Sequence, residues 1–435
     1  MRSLYALLLP VLVAAPLHLA AQSPLSADLD RRISSVTPKV VAWRRDIHEH
    51  PELSGEEVRT AGLVAAHLRA LGMEVRTNVG GHGVVGVLRG GRPGRVVALR
   101  ADMDGLPVTE QVDVPFRSRV RAQYNGQDVG VMHACGHDNH VAILMGAAEL
   151  LAGMKAQIPG TVVFIFQPAE ESLPDGTGGA EKMIADGVLD NPQVEAIFGL
   201  HVWSGRVGEV TYRPGPTMAA VNQLSISVRG RQTHGANPWG GVDPIVVGSQ
   251  VVLGLQTIVS RQVNITENPA VVTIGQFVGG VRSNIIPDSV LMVGTIRTFS
   301  AAQREDIFRR IETTATNIAE ASGARATVRI DSGYPVTRND IALTESMVPT
   351  LRRAAGADKV GIEPLMTGAE DFSYFQERIP GMFVFLGVTP PEQDWETRPR
   401  NHSPFFAADE SALPVGVKTM SALALDWLAM NPVRR

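Results

Sequence analysis

Two textures of hydrophobic patterning divide the chain. From Asp28 to about residue 217, short unbroken apolar runs alternate with helix-like stretches. The runs at 84–88, 96–99, 161–166 and 196–200 lack polar alternation, which marks strands buried on both faces. Between them, 46–71 reads as helix interrupted at Pro51 and ended by Leu71 and Gly72, and 141–154 reads as a strong Ala-, Leu- and Met-rich helix. Strands alternating with helices predict an α/β fold, a mainly parallel sheet with helices on both faces. After Pro216 the texture changes. Leu224, Ile226 and Val228 alternate with Ser225 and Ser227, as in a sheet with one open face. A helix at 244–261, strands at 270–277 and 289–299, a helix at 302–322 and a strand at 326–330 follow. That order is the ferredoxin-like split βαβ arrangement. The expected organisation is therefore a discontinuous first domain, 28–217 with 334–433, and an inserted α+β domain at 218–333.

The N-terminus reads as an export signal over residues 1–21. Arg2 supplies the positive charge, 4–19 is largely apolar, and Leu19, Ala20 and Ala21 form a small-residue cleavage site. The stretch is short of the ~20 apolar residues of a membrane span and contains Pro10 and Pro16. A periplasmic or secreted protein without a stable membrane anchor is expected. With 435 residues, 44% hydrophobic and 19% charged, the chain can bury a large core and is not a charge-dominated disordered polymer. A formal charge of −4 argues against a nucleic-acid surface, which needs a clustered basic excess. The single cysteine, Cys135, excludes a disulfide within the chain.

That cysteine stands in the densest cluster of reactive side chains, His133-Ala134-Cys135-Gly136-His137-Asp138-Asn139-His140. In an extended segment, Cys135 and His137 would emerge on one side, a thiolate and an imidazole suited to a borderline metal. Two ligands do not fill a four-coordinate shell. Further candidates stand at strand ends: Glu170 and Glu171 after 161–166, His201 after 196–200, and His402 in a loop near the C-terminus. Ligands of open α/β sheets gather at the carboxyl ends of strands. One Cys, three His and two Glu suit two ions with a bridging ligand, one glutamate remaining free to move protons. Asp102 and Asp104 are expected to orient a ligating histidine rather than bind metal. His48 and His50 are expected to be structural, on an exposed helix. No Gly-x-Ser-x-Gly elbow and no Gly-rich phosphate loop followed by Lys is present.

The sequence resembles the M20 metallopeptidase family, in its amidohydrolase branch with the hippurate and auxin-conjugate hydrolases. The resemblance rests on 44–54 (RRDIHEHPELS), 100–107 (RADMDGLP), 132–138 (MHACGHD), 167–171 (QPAEE), 178–180 (GGA), 241–244 (GVDP), 284–288 (NIIPD), 368–372 (GAEDF) and 402–406 (HSPFF), in that order. It implies a dinuclear-metal peptidase domain with an inserted lid that often forms a homodimer. It further implies Cys135, His137, Glu171, His201 and His402 as ligands, with Cys135 bridging. Glu170 would be the general base that deprotonates metal-activated water. His234 would serve a neighbouring subunit's site as oxyanion donor, Asn284 would hold substrate, and Arg297 is a weaker candidate for a carboxylate clamp. The implied function is an exported metal-dependent amidohydrolase of N-acyl or N-aroyl amino acids. Two divalent ions are expected, zinc first, with manganese, cobalt or nickel as alternatives. A dipeptidase or carboxypeptidase, or a non-catalytic periplasmic binding or metal-sequestering protein, are the other readings. Two departures are Gly235, where the family often has alanine, and a long loop at 172–177.

Overall fold

The structure, a computed structural model, describes residues 24–173 and 176–432. The expected export signal over residues 1–21 lies outside the described residues.

An eight-stranded sheet forms the larger unit. Its order is Glu74–Val79, Gly83–Arg89, Pro159–Gln167, Arg92–Asp102, Ala196–Arg206, Gly381–Thr389, Val210–Tyr212 and Val360–Ile362. The four strands from Pro159–Gln167 to Gly381–Thr389 run parallel, and the first two join them as an antiparallel hairpin. Alternate residues of Pro159–Gln167 face opposite layers, as a two-residue period dictates. Val162, Phe164 and Phe166 pack with Val141, Leu144, Val417 and Leu425 from the helices His137–Ala152 and Leu413–Met430. Val163 and Ile165 pack on the other side with Ala180, Met183, Phe372 and Phe375. Both faces are covered, which explains the unbroken apolar runs.

The second unit is a four-stranded antiparallel sheet ordered Ala270–Val278, Ser289–Thr298, Ala220–Arg229, Arg325–Ser332. The helices Pro244–Thr257 and Ala301–Ala321 supply Val247, Val251, Leu255, Ile307 and Ile311 to a core with Leu224, Ile226 and Val228. Asp243 caps the first helix through the Ile245 amide, with Pro244 in the first turn, and Ser300 caps the second. This is the split βαβ order read from the sequence. The α-helix expected to reach Arg261 ends at Thr257 and continues as a wider turn over Ile258–Gln262. Strands Gly215–Met218 and Thr337–Asn339 pair antiparallel where the chain passes between the two units.

The helix expected at 46–71 is two helices, Pro24–Glu49 and Val58–Ala70, parted by the Pro51 segment.

Candidate metal centre

At the carboxyl ends of the parallel strands the expected ligands converge, though not as an extended segment would place them. Gly136 adopts φ +92 and His137 begins a helix, so a left-handed residue rather than strand alternation turns Cys135 and His137 toward each other. A side chain at 136 would meet Val202 Cγ2 at 2.4 Å, so the position also requires the absence of a Cβ. Cys135 Sγ lies 3.4 Å from His201 Nε2. The ligand atoms of Cys135, His137 and His201 lie within 4.8 Å of one another, and so do those of Cys135, Glu171 and His402. Cys135 belongs to both sets.

The partners of each imidazole fix which nitrogen is free. His201 Nδ1 donates to the Val202 carbonyl at 2.7 Å, leaving Nε2 toward Cys135. His137 Nδ1 lies 3.1 Å from Asp104 Oδ1, while its buried Nε2 has no hydrogen-bond partner among the described residues. His140 has no nitrogen to spare: Nδ1 donates to Asp102 and Nε2 accepts the Val202 amide at 2.7 Å. His402 Nε2 stands 3.0 Å from Glu171 Oε1, on a residue with φ +70.

Asp104 ties the centre together. Besides His137 it accepts the Glu170 amide at 3.1 Å, the Glu171 amide at 2.9 Å and the Ser54 hydroxyl at 2.7 Å. The sharp turn it holds begins at Ala169, φ +51, whose amide is bound by Glu57. Asp102 sits between His140 and Arg100, which also reaches Glu370 and Asp371. The Asp104 bond to His137 matches the expectation of an aspartate orienting a ligating histidine, whereas Asp102 orients His140, both of whose nitrogens are engaged.

Acids outnumber cations here. Asp102, Asp104, Glu170, Glu370 and Asp371 are all buried, against one guanidinium, Arg100. Burial, then Glu370 and Glu171, pushes the Glu170 carboxyl well above its ordinary range. Burial raises Glu370 to about 8 and Asp371 to about 6 despite Arg100. Burial, then Glu171 and Glu170, likewise raises the Cys135 thiol. At His137 burial disfavours the charged ring, but Asp102 and Asp104 outweigh it and bring it to about 10. Divalent cations in place of these protons would neutralise the excess and give His137 Nε2 the partner it lacks. The residues present fit such a centre.

A cavity of about 380 Å³ opens over the cluster, lined by Cys135, Glu170, Glu171, His201, His402 and Arg297 among others. Arg297 is half-buried, makes no ion pair with a described residue, and faces the acids from the second sheet. His234 and Asn284 do not line this cavity. They are exposed neighbours on the second unit, joined by the Gly235 amide donating to the Asn284 carbonyl at 2.8 Å. A Cβ at 235 would meet Asn284 backbone atoms at 3.1–3.2 Å, so Gly235 permits that close approach.

His48 corrects the sequence reading. It is buried rather than exposed, with Nδ1 2.8 Å from Asp138 and Nε2 3.1 Å from Glu110. His50 is exposed, as expected. Arg100, Glu370, Asp371 and Tyr334, whose hydroxyl donates to the Glu170 carbonyl at 2.6 Å, received no role from the sequence. The acid pair in GAEDF was the available signal for two of them.

A mainly parallel sheet bearing a thiol, imidazoles and excess carboxylates at its carboxyl ends offers the donor set of a divalent-metal centre. The family model described as peptidase family M20/M25/M40 matches residues 98–426, and the chain belongs to this family. Thermostable carboxypeptidase 2 of Saccharolobus solfataricus is 41% identical over 410 residues, covering 92% of this chain and 99% of its own. The IAA-amino acid hydrolase ILR1-like 4 of Arabidopsis thaliana is 40% identical over 400 residues, covering 89% and 86%. Among solved structures, the YXEP protein of Bacillus subtilis, a dinuclear metal-binding peptidase of family M20, superposes with TM-score 0.76 at 34% identity over 91% of this chain and 99% of that one. The protein is thus a metal-dependent amidohydrolase or peptidase with a two-metal centre.

Proposed function

We propose that the protein hydrolyses the amide bond of N-acyl or N-aroyl amino acids, and that Cys135, His137, Glu171, His201 and His402 would hold its two divalent ions. The observation that carries this reading is the overlap of the two ligand sets at Cys135, with Glu170 beside them and Arg297 across the same cavity. Thiolate and imidazole favour zinc, and the carboxylate also suits manganese, cobalt or nickel. When bound, the ions supply Lewis acidity that polarises the amide carbonyl and lowers the pKa of water toward 7.

The chain's own groups do the rest. Glu170 takes the proton of the attacking water and delivers it to the departing amine. Its placement is set by the Asp104 carboxylate on its amide, the Tyr334 hydroxyl on its carbonyl and the Asp371 amide near Oε1. Arg297 pairs with the substrate carboxylate. His234 Nδ1 accepts the Ala236 amide at 3.0 Å, which leaves Nε2–H as a donor for the oxyanion in a partner's site, and Asn284 holds the substrate there. That role requires a homodimer. The helix Pro244–Thr257 supports one by exposing Val246 and Leu253, one heptad apart. Leu253→Lys should halve the solution mass and lower turnover together; loss of neither removes the partner from the mechanism.

Export to the periplasm or medium is part of the proposal, carried by Arg2 and the apolar 4–19 segment. A mature N-terminus near Gln22 in the exported fraction tests it. The function is tested by turnover of metal-reconstituted protein on acetyl-, benzoyl- and indoleacetyl-amino acids beside dipeptides, with elemental analysis of the same sample. Two bound metals without turnover of any of them would favour a binding protein. Preference for dipeptides would favour a peptidase, the reading that the Saccharolobus relative's name supports.

A further inference from the structure

The structure assigns Glu57, which reaches the turn at Ala169 across 112 residues of chain, as the positioning residue that aims Glu170 into the cavity. The assignment rests on the reading of Glu170 as general base and adds what holds that carboxylate on target.

Glu57 stands where a helix-capping side chain belongs, yet it does not cap. It precedes the helix Val58–Ala70, and its carboxylate accepts no amide of that helix's first turn. Glu52 does this instead, accepting the Arg59 amide at 2.8 Å and the Thr60 amide at 2.9 Å. The Glu57 side chain is fully buried and serves other groups. Its Oε1 accepts the Gly55 amide at 2.9 Å and the Ala169 amide at 2.8 Å. Glu57 does not line the cavity over the metal cluster, so it acts through the backbone it holds.

That backbone is bonded at every group from Ala169 to the Glu171 amide. Ala169 has φ +51, a left-handed conformation that a residue with a Cβ keeps only when its surroundings impose it. Glu57 binds its amide, and the Gly179 amide donates to its carbonyl at 2.9 Å. Asp104 takes the amides of Glu170 and Glu171, and the Tyr334 hydroxyl donates to the Glu170 carbonyl. These last three bonds fix the far side of the turn. Glu57 fixes its entry, where the left-handed residue sets the direction in which the chain leaves the strand Pro159–Gln167. The 52–57 segment is itself docked beside Asp104. Ser54 donates to Asp104 Oδ2 at 2.7 Å, and the Gly105 amide donates to the Glu52 carbonyl at 2.7 Å.

Reach, rather than charge, is what the turn needs from residue 57. Glu57 Oε2 has no hydrogen-bond partner among the described residues, and burial, then Asp104, pushes the carboxyl up to about 8. Glu57→Gln therefore copies the neutral side chain that stands there near pH 7. Glu57→Asp keeps the carboxyl but stops one carbon–carbon bond, about 1.5 Å, short of the Ala169 amide.

The test compares Glu57→Gln, Glu57→Asp and Glu57→Ala in full-length, metal-reconstituted protein. It reads kcat and KM on the acyl-amino acid that the wild type turns over fastest, bound metal, and hydrogen exchange at the Ala169 amide. Glu57→Asp and Glu57→Ala should lower kcat by about 100-fold, the cost of misplacing a reacting group by about 1 Å, with KM and bound metal unchanged. Their Ala169 amide should exchange faster by about tenfold or more. Glu57→Gln should keep both near the wild-type values, and Glu57→Asp carries the question if Glu57→Ala does not fold. Wild-type kcat in the folded, metal-loaded shortened variants overturns the assignment, even where their thermal stability has dropped. Glu57→Gln as slow as Glu57→Asp overturns it by making charge the requirement. A loss that falls on bound metal overturns it by making Glu57 a support of Glu171. If Glu170→Gln leaves turnover near wild type, the general-base reading falls instead, and exchange at Ala169 still reports whether Glu57 holds the turn.

Discussion

The two sheets bury their interiors in opposite ways. The eight-stranded sheet carries, at its carboxyl ends, buried acids tied to Arg100, His137 and His140, packed beside a large apolar core. The four-stranded sheet closes over an aliphatic core of Leu224, Ile226, Val251, Ile307, Ile311 and their neighbours. Its buried polar side chains, Asn222 and Thr298, stand toward the passage between the units. An apolar interior is held by burial alone. An acid-rich one depends on cations, because like charges in a poorly hydrated space raise each other's pKa. The larger unit thus couples stability to ligand content, and the smaller does not.

The sharpest probe of that difference is Glu170→Gln. Removing the carboxylate that is pushed upward but proposed to bind no metal should leave metal content intact and reduce turnover by about 10³-fold or more. Near-wild-type activity would make Glu170 one more structural acid. Metal removal comes next. Chelation should cost the larger unit roughly 3–4 kcal/mol when the ion stood at hundreds to a thousand times its dissociation constant. Hydrogen exchange should show the loss at 135–140 and 170–171, while amides of Ala220–Arg229 and Ser289–Thr298 keep their protection. Equal loss in both units would break the comparison. Ile311→Ala runs it the other way: about 2–5 kcal/mol of stability in a denaturant titration, with metal content unchanged.

The smallest effect concerns acid. Burial pushes His133 down from 6.5 to about 4, against the opposing pull of Asp138, and neither ring nitrogen has a hydrogen-bond partner among the described residues. The folded state therefore holds this ring neutral where the unfolded chain would charge it. Its contribution is fully present above pH 6.5 and is lost as pH falls toward 4. His133→Gln should move the acid-unfolding midpoint of the larger unit down by a few tenths of a pH unit. A midpoint that stays in place would mean other groups set the acid limit.

Strand positions were legible because a strand covered on both faces must be apolar throughout, and the second sheet because one open face forces alternation. The ligand types were legible too, since thiol, imidazole and carboxylate at strand ends have few other uses together. What the sequence hid was backbone handedness and distance. An extended reading of 135–137 took no account of the freedom of Gly136, where φ +92 turns the chain into the helix. His48 looked exposed on its own helix, because Asp138, Glu110 and Phe116 cover it from far along the chain. Arg100 meets Asp371 across 271 residues, a pairing that no local pattern signals. His234 stays outside its own chain's cavity, exposed on the second unit.

The strand Gly381–Thr389 lies inside the larger sheet, with Ala196–Arg206 on one side and Val210–Tyr212 on the other. Every strand of the smaller sheet lies between residues 220 and 332. During synthesis the smaller unit therefore has all its strands before the larger one can close, and His402 emerges later still. The order of translation makes the aliphatic unit the first finished body and the acidic centre the last, so a chain cut short before residue 381 would hold its second sheet complete and its reaction site open.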